Sequence, residues 1–74
     1  MVLQDFITRL KAIMSVNNLS SSELATKLEI RESNITHYLI GRNLPSCDFL
    51  YKILILFPSL NARWLITGEG EMNN

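Results

Sequence analysis

Two short helical patterns separated by only a few residues lie between Leu19 and Ser46, in LSSSELATKLEIRESNITHYLIGRNLPS, and no other stretch restricts the fold as much. Ser20 is a natural N-cap, and Glu23 follows in the capping-box position, so each side chain can satisfy a backbone N–H that the first turn leaves open. A helix therefore starts there. Leu24, Ala25 and Leu28 form its inward face, and the small Ala25 lets a second helix cross closely. The turn falls at Glu29–Ile30–Arg31, where the apolar Ile30 is expected to plug the gap between the helices. The second helix is expected from about Glu32 to Ile40. Ile35, Tyr38 and Leu39 turn inward, which leaves Glu32, Ser33, Asn34, Thr36 and His37 on an outer face. Gly41 ends it.

The flanking segments supply the rest of a core. Leu3, Phe6, Ile7, Leu10, Ile13 and Met14 follow the i, i+3, i+4, i+7 rule and predict an amphipathic helix over Val2 to Ser15. Asp5 near its start, and Arg9 and Lys11 toward its end, suit the helix dipole. Asn17 and Asn18 stop it, since either tolerates the left-handed conformation of a helix exit. After Arg42-Asn43-Leu44-Pro45, a polar loop with one buried-looking leucine, Ser46 caps a fourth helix with Asp48 in its first turn. Leu50, Ile53, Leu54 and Phe57 are its expected core stripe. Phe49, Tyr51, Ile55 and Leu56 are apolar as well, so this helix is either wrapped by the others or meets another molecule. Pro58 terminates it. Asn61 caps a short fifth helix through about Thr67, with Trp64 and Leu65 inward and Gly68 as its stop. Trp64 reads as a core or subunit-interface anchor, because stacking sites for bases present several aromatics. The tail from Glu69 is expected to be polar and frayed.

These elements predict an all-α fold, a compact bundle of five short helices in a single domain over residues 1–68 with a polar tail over 69–74. With 74 residues, 47% of them apolar, the chain must pack efficiently but has no disordered character. No basic segment leads into an apolar run at the start, and Ile53 to Phe57 is too short to span a bilayer, so a cytoplasmic location is expected. The single cysteine, Cys47, has no disulfide partner and no metal-ligating neighbours, and it reads as a small side chain in a first turn.

At Leu19-Ser20, Leu24-Ala25, Ile30, Ile35, Gly41 and Pro45-Ser46 the chain resembles the lambda-repressor-like, xenobiotic-response-element class of helix-turn-helix DNA-binding domains. The resemblance extends through Asn61 to Glu71, which looks like the end of the DNA-binding domain in prophage-type repressors, and so covers nearly the whole chain. It implies a second helix in the major groove and a first helix across the backbone. Glu32, Ser33 and His37 would then face bases, with Asn34 and Thr36 at the margin between base and phosphate. Phosphate contacts would come from Ser21, Ser22 and Arg42, with Lys27, Arg31 and Asn43 as additions. Ser33 can pair with several bases and Asn34 can read adenine bidentately. Glu32 stands where the class often has glutamine. It either accepts from cytosine N4, or weakens binding by repelling phosphate, or caps the second helix. His37 either donates to guanine N7 or a phosphate when protonated, or is an exposed bystander. Ser21 replaces a common glutamine, and Arg31 replaces the usual Ser or Thr cap.

Seven basic and seven acidic residues cancel, which counts against nucleic acid, although Lys27, Arg31 and Arg42 lie in or beside the two key helices. Setting aside Glu69 and Glu71 in the tail leaves a domain of about +2. The expected function is a sequence-specific transcriptional regulator, a repressor of prophage or mobile-element type that binds operator DNA as a homodimer. The alternative is a protein-interaction module or antitoxin on the same fold, with a toxin or other regulator as partner and weak DNA binding. No cofactor, no metal and no enzymatic activity are expected. His37 has no nucleophile or carboxylate at catalytic spacing, and there is no Gly-rich phosphate loop.

Overall fold

The computed structural model describes residues 2–74. Five helices follow one another: α1 (Leu3–Val16), α2 (Ser21–Leu28), α3 (Glu32–Leu39), α4 (Cys47–Leu56) and α5 (Ala62–Thr67). They pack within 29 × 23 × 21 Å, and the described residues contain no strand, only an isolated bridge between Leu60 and Asn73. None of these helices is long and apolar enough to cross a membrane.

Every helix contributes to one core. Phe6, Leu10 and Ile13 of α1, Leu24 of α2, Ile35 of α3, Ile53 of α4 and Leu65 of α5 are fully buried. At about 25 cal/mol per Å² of apolar surface, such side chains carry most of the folding energy of a chain this short. Ala25 is buried at the place where α2 and α3 form the most extensive helix pair, as its size predicts. No polar or charged side chain is buried among the described residues.

Local chemistry explains where the helices begin and end. Ser20 accepts from the Glu23 N–H at 3.1 Å, and the Glu23 carboxylate accepts from the Ser20 N–H at 3.0 Å, closing the capping box. Ser46 accepts from the Phe49 N–H, and Asn61 accepts from the N–H groups of Arg63 and Trp64. The first three helices share one exit. Asn18 (φ 56), Glu29 (φ 58) and Gly41 (φ 79) are left-handed. The next residue donates back across the last turn: Leu19 to the Met14 carbonyl at 2.9 Å, Ile30 to Ala25 at 3.0 Å and Arg42 to His37 at 3.0 Å. The first two exits tuck an apolar residue against the core, since Leu19 and Ile30 pack there. The third turns an arginine outward.

The structure corrects five expectations. α1 runs one residue past Ser15 because nothing breaks it before Asn17, and α3 ends at Leu39 because Ile40 already belongs to the exit around Gly41. Leu44 is 63% exposed: the loop from Arg42 to Pro45 passes over the surface instead of folding into the core. On α4 the buried residues are Phe49 and Ile53, whereas Leu50, Leu54 and Phe57 are half-buried. Phe49 is drawn in by aromatic neighbours, edge-on to Phe6 at 6.5 Å and tilted over Tyr38 at 4.3 Å. The tail is tied down. The Asn61 N–H donates to the Met72 carbonyl at 2.8 Å, the Asn74 N–H donates to the Ser59 carbonyl at 2.7 Å, and Met72 packs against the core.

Candidate functional site

The outer face of α3 follows from one buried residue. Ile35 is the only side chain of this helix that is fully enclosed. At about 100° per residue, Ser33 and His37 fall opposite it, with Asn34 on one flank and Thr36 and Glu32 on the other. Glu32, Ser33, Asn34 and Thr36 are exposed, and His37 is half-buried. Of the expected base-facing residues, Ser33 and His37 therefore share the outward face of the helix, while Glu32, about 60° from Ile35, lies at its edge. The Thr36 hydroxyl donates back to the Glu32 carbonyl at 3.3 Å, so an outside group meets its lone pairs.

An arginine stands at each end of this face. Arg31 is the exposed N-cap residue of α3 in an extended conformation, and its guanidinium, a donor only, leaves the helix start without a side-chain cap. Arg42 follows the left-handed Gly41, and the helix exit places it at the surface next to the exposed Asn43. Neither arginine forms an ion pair among the described residues, whereas Arg63 pairs with Glu69 at 2.9 Å and Lys52 with Asp48 at 3.4 Å. Glu32 lies in the first turn of α3, where a carboxylate suits the positive end of the helix, but it makes no capping hydrogen bond.

The start of α2 is more divided. The capping box engages the N–H groups of Ser20 and Glu23, and leaves those of Ser21 and Ser22 as the free donors of the first turn. The Ser22 side chain is exposed and that of Ser21 half-buried. The same capping box holds a negative charge beside these donors. The Ser20 N–H and then the Ser20 hydroxyl, with a smaller contribution from Lys27, hold the Glu23 carboxyl below its usual range. A phosphate approaching Ser21 and Ser22 meets that carboxylate.

Lys27 lies apart. It is about 140° from Ser22 around α2, and it lines a groove with Leu28, Glu29, Lys52, Ile55 and Leu56 on the α4 side. Ile40, missed in the sequence reading, is 63% exposed and borders a second groove with Gln4 and Lys11 of α1. A helical wheel centred on Ile35 would have found it, since Ile40 falls about 140° from Ile35. Glu23 was read as a cap alone. Its position next to Ser21 and Ser22 was the available signal that it also opposes an anion there.

Chemically, the α3 face offers hydroxyl and amide groups that both donate and accept, one imidazole, one carboxylate and a cation at each end. That inventory suits recognition of a polar, anionic surface. Comparison of the chain with family models, with curated proteins and with solved structures finds no match.

Proposed function

We propose that the chain is a sequence-specific DNA-binding transcriptional regulator in which α2 and α3 act as a helix-turn-helix of the lambda-repressor-like kind and α3 enters the major groove. The observation that carries this reading is the α3 face: exposed Ser33, Asn34 and Thr36 with His37, bracketed by Arg31 and Arg42. A helix of 8 residues is about 12 Å long, comparable to the width of the major groove, so the two arginines can reach phosphates while the residues between them meet base edges. Ser33, His37 and Glu32 read bases, with Asn34 and Thr36 beside them. Arg42, Arg31, Asn43 and the Ser21 and Ser22 N–H groups take the backbone. Lys27 is left out of the contact set.

Zero net charge keeps the electrostatic contribution of one copy small, so the reading includes a homodimer on a pseudo-palindromic operator with half-sites about 34 Å apart. Repression, and a prophage or mobile-element setting, come from the resemblance alone.

The test is selection of bound duplexes from a random library, followed by affinity for the winner and a scrambled control across salt concentrations. A palindromic winner is expected. Arg42→Ala should weaken binding to both duplexes and lower the salt slope of the dimer by about two, one phosphate contact for each copy, whereas Ser33→Ala should relax specificity at one position of each half-site. An Arg42→Ala protein with unchanged affinity and slope would overturn this docking. The carboxylates Glu23 and Glu32 at the two helix starts favour a second reading, a protein-interaction or antitoxin module, which would bind every duplex alike and weakly.

A further inference from the structure

We infer that Met72 is the latch of a redox-released strap: oxidation of its thioether by a peroxide frees residues 71–74 from the groove between α1 and the end of α4. The strap is built in steps from the end of α5. Arg63 donates from Nε at 3.1 Å and from Nη2 at 2.9 Å to one carboxylate oxygen of Glu69. Gly70 (φ 85) then turns the chain back so closely that a Cβ there would stand 3.1 Å from the side-chain nitrogen of Asn61. Beyond that turn two main-chain bonds hold the strap, from the Asn61 N–H to the Met72 carbonyl and from the Asn74 N–H to the Ser59 carbonyl. Met72 is its one side chain against the core, since Glu71, Asn73 and Asn74 are exposed. The seating of the strap therefore turns on one apolar side chain.

That side chain is also the one a small oxidant reaches. Met72 is half-buried beside Ile13, Phe57 and Leu60, whereas Met14 is enclosed in the core. The Met72 sulfur attacks one oxygen of hydrogen peroxide and the O–O bond breaks. That oxygen stays on sulfur as a sulfoxide, and the other leaves as water with both hydrogens. Sulfur gives up two electrons and the peroxide takes them. The product is polar, and its oxygen needs a donor that the groove does not supply. Ile13, Phe57 and Leu60 have none to offer, and the Asn17 side-chain amide already donates to the Ile13 carbonyl at 2.8 Å. Water solvates the sulfoxide better, so the strap lifts. The Asn61 N–H then loses its acceptor at the residue whose side chain caps α5, while the Arg63–Glu69 pair keeps the strap tethered for its return. The device is independent of DNA and of the reading of α3.

Hydrogen peroxide treatment of the full chain carrying Cys47→Ser, which removes the exposed thiol, tests the inference by peptide mass and amide exchange. Met72 should gain its oxygen at least about tenfold faster than Met14. Exchange at Asn61 should then accelerate about tenfold while the middle of α1 keeps its protection. Methionine sulfoxide reductases should restore the slow exchange, which separates the sulfoxide from irreversible damage. Two variants sharpen the reading. Met72→Leu keeps an apolar side chain that peroxide does not oxidise, so it should hold the strap with or without peroxide. Met72→Gln places a polar group in the groove and should show fast exchange at Asn61 with no peroxide added. Met14 oxidised as fast as Met72, unchanged exchange at Asn61 once Met72 carries its oxygen, or the same acceleration by peroxide in Met72→Leu would each overturn the inference.

Discussion

Glu29 occupies a place in the chain that its side chain does not favour. It holds φ 58 so that Ile30 can turn back and pack, and a left-handed conformation costs a residue with a Cβ about 1–2 kcal/mol. Glycine escapes that cost but gives up chain entropy of about 0.5–1 kcal/mol. Glu29→Gly should therefore stabilise the protein by roughly 0.5–1 kcal/mol, read as a higher denaturant midpoint at constant slope. Glu23 makes a prediction about pH. Its folded carboxyl lies below the usual range because of the Ser20 N–H, so its contribution is present above the unfolded carboxylate value and is lost as pH falls through the folded value. Wild type should exceed Glu23→Gln in stability at neutral pH. The gap should close on acidification, and a gap that persisted in acid would assign the effect to something other than the carboxylate.

At the scale of elements, α4 shows how an apolar sequence leaves orientation open. Eight of its candidate positions read as core or near-core, and the aromatic pairings with Phe6 and Tyr38 select Phe49 while Tyr51 faces out. Phe49→Ala should cost about 3–5 kcal/mol, as for other buried aromatics, whereas Tyr51→Ala should stay within about 0.5 kcal/mol in dilute protein. Equal costs, measured by chemical denaturation, would reverse that assignment. The neighbouring α5 is only 6 residues long, too short to persist alone. It is held by α1: the Arg9 guanidinium donates to the carbonyls of Leu65 at 2.9 Å and Ile66 at 3.3 Å. Arg9 looked like a helix-dipole residue of α1 in the sequence, and its partner is 56 residues away. No local pattern carries such a pairing.

Over the whole molecule, residues 72–74 are part of the fold. Residues 72–74 return antiparallel to residues 59–61, and Met72 covers the groove between α1 and the end of α4, beside Ile13, Phe57 and Leu60. Removing residues 69–74 should cost about 1–3 kcal/mol, from two lost backbone hydrogen bonds and one uncovered apolar contact. Faster amide exchange at Asn61 in the shortened chain would locate the loss, and identical stability of the two chains would make the tail dispensable. A frayed tail was the reading of its composition, because residues 69–74 are polar apart from Met72 and Gly70. One methionine and two main-chain bonds outweigh that composition.

Helix number, most helix ends and the inward faces of α1 and α2 were legible in the sequence by itself, because each depends on residues within a turn or two. Ser20 with Glu23, Asn18 before Leu19, and Gly41 after α3 act through the backbone next to them. The outer face of α3 was legible for the same reason, since one buried Ile35 orients the helix. Tertiary structure alone decided which side of α4 is buried, that Leu44 stays in water, that Lys27 belongs to the α4 groove, and that the tail returns. Each of these depends on contacts between residues far apart in the chain, where a local pattern of apolar and polar side chains is compatible with more than one packing.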